Sequence, residues 1–281
     1  MIQPALRDDA LLADIEAAKP LPGFRLWWLG QSGFLIQWQG RHLLFDPYLS
    51  DSLTEKYAAT SKPHVRMTEL AVAPERLDFL DVVTSSHNHT DHLDALTLKP
   101  MLAANPHAAF VIPEANRAFV ADRVGCAPDW PLGLNDGETT EIDGLLFTAI
   151  ASAHDELETD EVGRHKFLGF VVRFGDCAVY HSGDTRLYDG LAEKLKPHAV
   201  DVALLPINGW APERHVAGNL SGREAAQLGK DIGAGMVIPH HFEMFEFNTA
   251  SPDEFVSECT RLDQPHRVLR CGERWSSNEL G

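Results

Sequence analysis

Residues 84–94, TSSHNHTDHLD, place His87, His89, Asp91 and His92 within six positions. The run before them, LDVVTSS (80–86), is apolar and β-branched and predicts a strand, whereas DALTLKPMLAA (94–104) predicts a helix. The cluster therefore sits at a strand-to-helix junction. In extended backbone, side chains two apart point the same way, which aims His87 and His89 at one spot, where they can chelate one ion. Thr90 is an acceptable N-cap, and a helix starting there would carry Asp91 and His92 in its first turn, facing a second ion beside the first. Leu93 stands three residues after Thr90, so a full capping box is absent.

Working outward, the segments FRLWWLG (24–30), GFLIQWQ (33–39) and HLLFDPYL (42–49) are apolar runs separated by Gly-containing turns and predict an antiparallel meander over 24–46. From about residue 80 short apolar runs alternate with helical segments, including AAFVIP (108–113) and EANRAFVADRVG (114–125). A second block repeats that rhythm through GLLFTAIASA, FLGFVVRF, CAVYHSG and AVDVALLPI to a helix over 221–231 and the run GMVIP. Two strand-rich sheets with helices outside them satisfy both blocks. Further metal-affine side chains stand where those strands finish: His154, Asp184, and the pair His240 and His241. A surface loop that happens to be histidine-rich is the bland alternative for 87–92, and the shared position of these distant residues at strand ends weighs against it.

The composition, 44% hydrophobic and 23% charged over 281 residues, suffices for a full core, and no linker-like stretch divides the chain, so one domain over 1–281 is expected. The opening MIQPALRDDALLADIEAAK lacks a basic n-region followed by an apolar run, and no apolar run reaches bilayer length. A cytoplasmic protein without membrane partners is the expectation. Cys126, Cys177, Cys259 and Cys271 have no C-x-x-C spacing, so neither a disulfide scaffold nor a thiolate metal site is indicated. A net charge of -17 disfavours nucleic acid as a partner.

HNHTDH, SAHDE, YHSGDT and IPHHFEMF, following WLGQSGFLIQWQGRHLLFDP in that order, resemble the motif series of the metallo-β-lactamase superfamily over almost the whole chain. The segment 208–249 is similar to the branch that contains L-ascorbate-6-phosphate lactonase. The resemblance implies an α/β fold, a four-layer αββα sandwich of two mixed β-sheets flanked by helices. It implies that His87, His89 and His154 hold one metal, that Asp91, His92 and His241 hold a second, and that Asp184 bridges them. His241 is preferred to His240 because the family pattern is Pro, any residue, His, aromatic. His181 is then expected to support the site or touch substrate, and Asp46 to orient a ligand histidine through its other ring nitrogen. A turn-forming aspartate before Pro47 is the equal alternative for Asp46.

The function implied is a dinuclear metal-dependent hydrolase of a small molecule, a lactone or related ester, with or without a phosphate. Two divalent ions ~3.5 to 4 Å apart lower the pKa of a shared water toward ~7, making hydroxide the nucleophile, with Asp91 to orient it and handle its proton. Imidazole and carboxylate donors suit Mn²⁺, Zn²⁺ or Fe²⁺, and the branch resemblance favours Mn²⁺, then Zn²⁺. The alternatives are a phosphodiesterase for a small or lipid phosphodiester on the same fold, and a noncatalytic metal-binding scaffold. Arg164, Lys166, Arg186 and Arg214 are the basic candidates for a substrate anion. The segment 208–219, with Trp210 and Arg214, is expected to form a loop at the mouth of the site, just ahead of a helix capped by Ser221 and Glu224 whose N-terminus suits an anion. Some members of the superfamily are homo-oligomers, so self-association stays open.

Overall fold

The computed structural model describes residues 1–214 and 216–280. Three strands open the first sheet as the expected meander: β1 (Phe24–Gly30), β2 (Gly33–Trp38) and β3 (Arg41–Phe45), antiparallel with Leu26 opposite Ile36 and Leu35 opposite Leu44. The parallel strands β4 (Val82–Thr84), β5 (Ala109–Pro113) and β6 (Leu132–Leu134) follow. The second sheet is built from β7 (Thr139–Ile142), β8 (Leu145–Ala151), β9 (Leu168–Phe174), β10 (Cys177–His181), β11 (Val202–Pro206) and β12 (Met236–His240). The chain then returns to the first sheet, where β13 (Arg274–Ser276) pairs with β1, so the orders are β13-β1-β2-β3-β4-β5-β6 and β12-β11-β10-β9-β8-β7. Each sheet is mixed, antiparallel at one end and parallel at the other.

The near-continuous apolar strands are explained by burial on both faces. Leu26, Trp28, Phe34, Ile36, Leu43 and Phe45 pack inward against Phe147, Phe170 and Val172 of the second sheet. Their alternates Trp27, Leu29, Leu35 and Leu44 face a separate core under α1 (Asp8–Ala18), α3 (Ala95–Ala104) and α4 (Arg117–Val124). The period of two thus divides one strand between two cores. A short α2 (Ser52–Tyr57) lies between β3 and β4. Outside the second sheet, α5 (Leu191–Leu195), α6 (Gly222–Ile232) and α7 (Asp253–Leu262) bury Leu191, Leu195, Ala225, Leu228 and Phe255. This is the four-layer αββα sandwich. No described helix is long and apolar enough to cross a membrane.

Two local expectations need correction. The helix after the histidine cluster does not begin at Thr90: Asp94 is extended at φ -86°, ψ 117°, accepts hydrogen bonds from the backbone N–H of Leu96 and Thr97, and so caps α3. The carboxylate of Asp94 reaches two orphan N–H groups where Thr90 reaches none, which sets the start four residues later. The strand is also shorter than expected, because β4 ends at Thr84 and His87 and His89 occupy a bent loop. By contrast, α6 starts as expected, with Ser221 and Glu224 forming a reciprocal capping box.

Candidate metal centre

The loops that leave β4, β8, β10 and β12 at their C-terminal ends all deliver side chains to one point. His87, His89 and His154 form one group of potential donors, and Asp91, His92, Asp184 and His241 form a second, the donor atoms within each group lying within 4.8 Å of one another. His87 and His89 converge, with ring centroids 4.7 Å apart, although bends rather than strand geometry bring them together. The turn that follows is closed by His92 N–H and Leu93 N–H donating to the His89 carbonyl, which swings Asp91 and His92 toward the second group.

Asp184 joins the groups. Its Oδ2 lies 3.5 Å from His154 Nε2 and 3.3 Å from His241 Nε2, while Oδ1 lies 3.3 Å from His92 Nε2. Asp91 Oδ2 is 3.5 Å from His241 Nε2 and 3.7 Å from His92 Nε2. His240 points elsewhere: its ring stacks on His181 at 5.2 Å and its Nδ1 faces Ser32 Oγ at 3.2 Å.

A shell of neighbours fixes the rings. Asp46 is fully buried, accepts from Thr84 Oγ1 at 2.8 Å, from Ser86 N–H at 3.0 Å and from the Ser86 hydroxyl, and takes Nδ1–H of His92 at 2.7 Å. That leaves His92 Nε2 facing Asp184. His154 donates Nδ1–H to the Gly218 carbonyl at 2.8 Å, so its Nε2 also faces inward. His181 has both nitrogens engaged, Nε2–H donating to Ser32 O at 2.8 Å and Nδ1 accepting from Gly183 N–H at 3.2 Å. It therefore braces the Gly183 turn beneath the cluster. Gly183 has φ +58°, and a Cβ there would meet Ser86 Cβ at 2.6 Å, so only glycine lets Asp184 approach the Ser86 loop. His241 itself adopts φ 61° and is held by its N–H donating to Gln31 O at 3.0 Å.

The electrostatics favour a cation. Burial opposes ionisation of Asp184 and Asp91, yet the charges of His241 and His92 outweigh it and hold both carboxyl groups far below the usual range. Burial likewise lowers His241, but Asp184 and Asp91 raise it to about 9. A proton is thus retained on the His241 imidazole, which both carboxylates approach. His87 Nε2, His92 Nε2 and Asp184 Oδ1 are buried without a hydrogen-bond partner among the described residues. Three orphaned donors aimed into one cluster of imidazoles and carboxylates fit divalent ions of the Mn²⁺, Fe²⁺ or Zn²⁺ type.

The cluster forms the floor of a cavity of about 430 Å³. Its walls include Leu53, Tyr57, His64, Phe245 and Phe247, with Lys56, Arg123, Val216 and Ala217. Trp210 and Arg214 are not among the lining residues: Trp210 covers the Arg186 guanidinium at 5.2 Å, and Arg214 Nη1 donates to the Asn208 carbonyl at 2.6 Å and to Asn248 Oδ1 at 3.3 Å. Arg164 pairs with Asp160 at 2.7 Å and Lys166 with Glu158 at 3.4 Å. Sequence reasoning missed Gln31, whose Nε2–H donates to Asp91 Oδ2 at 2.7 Å, together with Ser86, Gly218, Arg123 and the aromatic wall. A glutamine inside the apolar run WLGQSGFLI was the one available signal.

Two mixed sheets carrying a histidine and aspartate cluster at their strand ends define a protein of the metallohydrolase αββα class. The chain belongs to the Beta-lactamase superfamily domain family, whose model matches residues 41–242. It is 30% identical over 256 residues to a UPF0173 metal-dependent hydrolase of Opitutus terrae, covering 89% of this chain and 98% of that protein. Among solved structures, the metallo hydrolase Igni18 of Ignicoccus hospitalis superposes with a TM-score of 0.65 at 23% identity, over 90% of this chain and 97% of that one. An isothiocyanate hydrolase from Delia radicum gut bacteria superposes with a TM-score of 0.70 at 19% identity, over 90% and 98% of the two chains. These two share the fold. The chain is a metal-dependent hydrolase of this superfamily.

Proposed function

We propose that the protein hydrolyses a small lactone or related ester at a centre of two divalent ions, Mn²⁺ or Zn²⁺. His87, His89 and His154 would hold one ion, Asp91, His92 and His241 the other, and Asp184 both. The observation that carries this reading is the convergence of seven donors from four loops, three of whose buried atoms have no other partner. When bound, such ions supply an activated water and a Lewis acid at neutral pH.

The remaining work falls to the chain. Asp91 is the residue to orient the attacking water and take its proton, because it lines the cavity and its carboxylate is already steered by Gln31. Asp46 and the Gly218 carbonyl keep His92 and His154 in the tautomer whose Nε2 faces inward. The cavity of about 430 Å³ suits a small molecule, and the charge of -17 disfavours a polynucleotide. The test is turnover by chelated and metal-reconstituted protein against lactones, phosphodiesters and thioesters in parallel. Metal-dependent lactone hydrolysis is expected; turnover of phosphodiesters alone would contradict the substrate class.

A further inference from the structure

Arg123 projects from α4 into the wall of the cavity. Its Nη1 donates to the carbonyls of Asn88 at 3.0 Å and Leu93 at 3.4 Å, the loop that carries the first four metal-affine side chains. The guanidinium lies over the Phe119 ring at 4.4 Å. It is half-buried, and among the described residues no carboxylate lies within 4.0 Å of it. Asp94, the nearest acid to influence it, spends its carboxylate on Ser50 at 2.5 Å and on Thr97 at 2.6 Å. Nε and Nη2 of Arg123 therefore keep N–H groups without a protein acceptor among the described residues. A partly desolvated cation with free donors in a fixed fork is a receptor for a planar or tetrahedral anion.

Arg214, the cation singled out by sequence, is not among the residues lining this cavity, and its Nη1 and Nη2 donate to Asn208 O, Asn248 Oδ1 and Thr249 O. The N-terminus of α6 is also occupied, since Ser221 Oγ accepts from Glu224 N–H at 3.3 Å and Glu254 Oε2 accepts from Arg223 N–H at 3.4 Å. The same cavity is lined by a wall of rings: His64 stacks on Tyr57 at 4.2 Å and meets Phe247 at 4.4 Å, with Tyr57 and Phe247 only partly covered. Such a wall suits a flat apolar body.

Building on the hydrolase reading, we propose that the substrate carries a carboxylate or phosphate that Arg123 binds, while its flat or apolar body lies against Tyr57, His64 and Phe247. Arg123 is thereby a specificity-determining residue, placing the scissile bond over the cluster by holding the far end of the molecule.

The probes are an aryl lactone bearing a carboxylate and its neutral methyl ester, measured with metal-loaded parent protein, Arg123→Met and Arg123→Lys. Met preserves the apolar stem over Phe119 and removes the fork. The parent should prefer the carboxylate, and in Arg123→Met the ratio of kcat/KM for carboxylate over ester should fall by about tenfold to a hundredfold, as expected for a lost charged hydrogen bond. Most of that loss should appear in KM, and Arg123→Lys should recover part of the ratio. Metal content and Tm, measured beside the kinetics, register any damage to the Asn88–Leu93 loop, which would depress both probes together. Equal losses on the two probes, or an unchanged ratio, would overturn the proposal. If neither probe is turned over, calorimetric binding decides: tighter binding of the carboxylate that Arg123→Met abolishes upholds the anion site and rejects the lactonase reading, and equal binding by parent and variant rejects the anion site.

Discussion

Asp46 Oδ2 lies 2.7 Å from Nδ1 of His92, and both side chains are fully buried. Fixing one imidazole nitrogen decides what the other can do. Replacement of Asp46 by Asn keeps the shape and removes the charge that fixes the His92 ring. Asp46→Asn is expected to weaken metal affinity by about tenfold to a hundredfold, the usual cost of losing such a partner. Competition with a chromogenic chelator measures it, and an unchanged affinity would show that Ser86 and packing alone hold His92.

Gly183 offers a test of the backbone. Alanine there must accept φ +58° and bring Cβ to 2.6 Å from Ser86 Cβ, whereas Gly40, at φ +79°, has nothing among the described residues within 4 Å of an added Cβ. Gly40→Ala should therefore cost about 1–2 kcal/mol for the left-handed conformation, and Gly183→Ala should add about 1–3 kcal/mol of overpacking. Thermal or urea unfolding compares them. Equal losses in the two variants would mean that the Ser86 loop yields freely.

Acid stability has a separate source in His42, on β3 and buried against Phe79. Burial lowers its pKa from 6.5 to about 4, against the raising influence of Asp81. Between those values the unfolded chain binds a proton that the folded chain refuses, so this contribution is fully present above about pH 6.5 and is lost as pH falls toward 4. A His42→Gln variant should show a flatter dependence of unfolding free energy over that window than the parent. Parallel slopes would remove His42 from the account.

Arg214 should behave as a strut. Its guanidinium reaches the Asn208 carbonyl at 2.6 Å and Asn248 Oδ1 at 3.3 Å, and Asn248 lines the cavity. Arg214→Ala is expected to lower Tm and to reduce turnover of charged and neutral substrates alike. A loss confined to charged substrates would return the anion site to this residue.

Local pattern carried much of this structure. The meander β1–β3 was legible because its apolar runs and Gly turns are local, and the capping box at Ser221 because both partners lie within four residues. The start of α3 was misplaced because Thr90 and Asp94 are both cap types, and only the carboxylate's geometry in the folded loop selects Asp94. The metal-affine residues were legible as residue types at strand ends, and the superfamily motif order grouped them. Strand alternation gave the wrong reason for the meeting of His87 and His89, which a bent loop achieves. Gln31 is marked in the chain only as a polar residue inside an apolar run, and Arg123 and the rings of Tyr57, His64 and Phe247 reach the site through tertiary packing that no spacing in the chain announces.

On the proposed reading Asp184 ties two ion sites together; its two oxygens lie 3.3 to 3.5 Å from ring nitrogens of His92, His154 and His241. Elemental analysis of reconstituted protein, parent beside Asp184→Ala, His241→Ala and His240→Ala, tests it most directly. The parent should hold two divalent ions per chain, His240→Ala should keep both, His241→Ala should keep no more than one, and Asp184→Ala should fall well below two. A parent that binds no divalent ion, or an Asp184→Ala variant that keeps both at full affinity, would contradict the account.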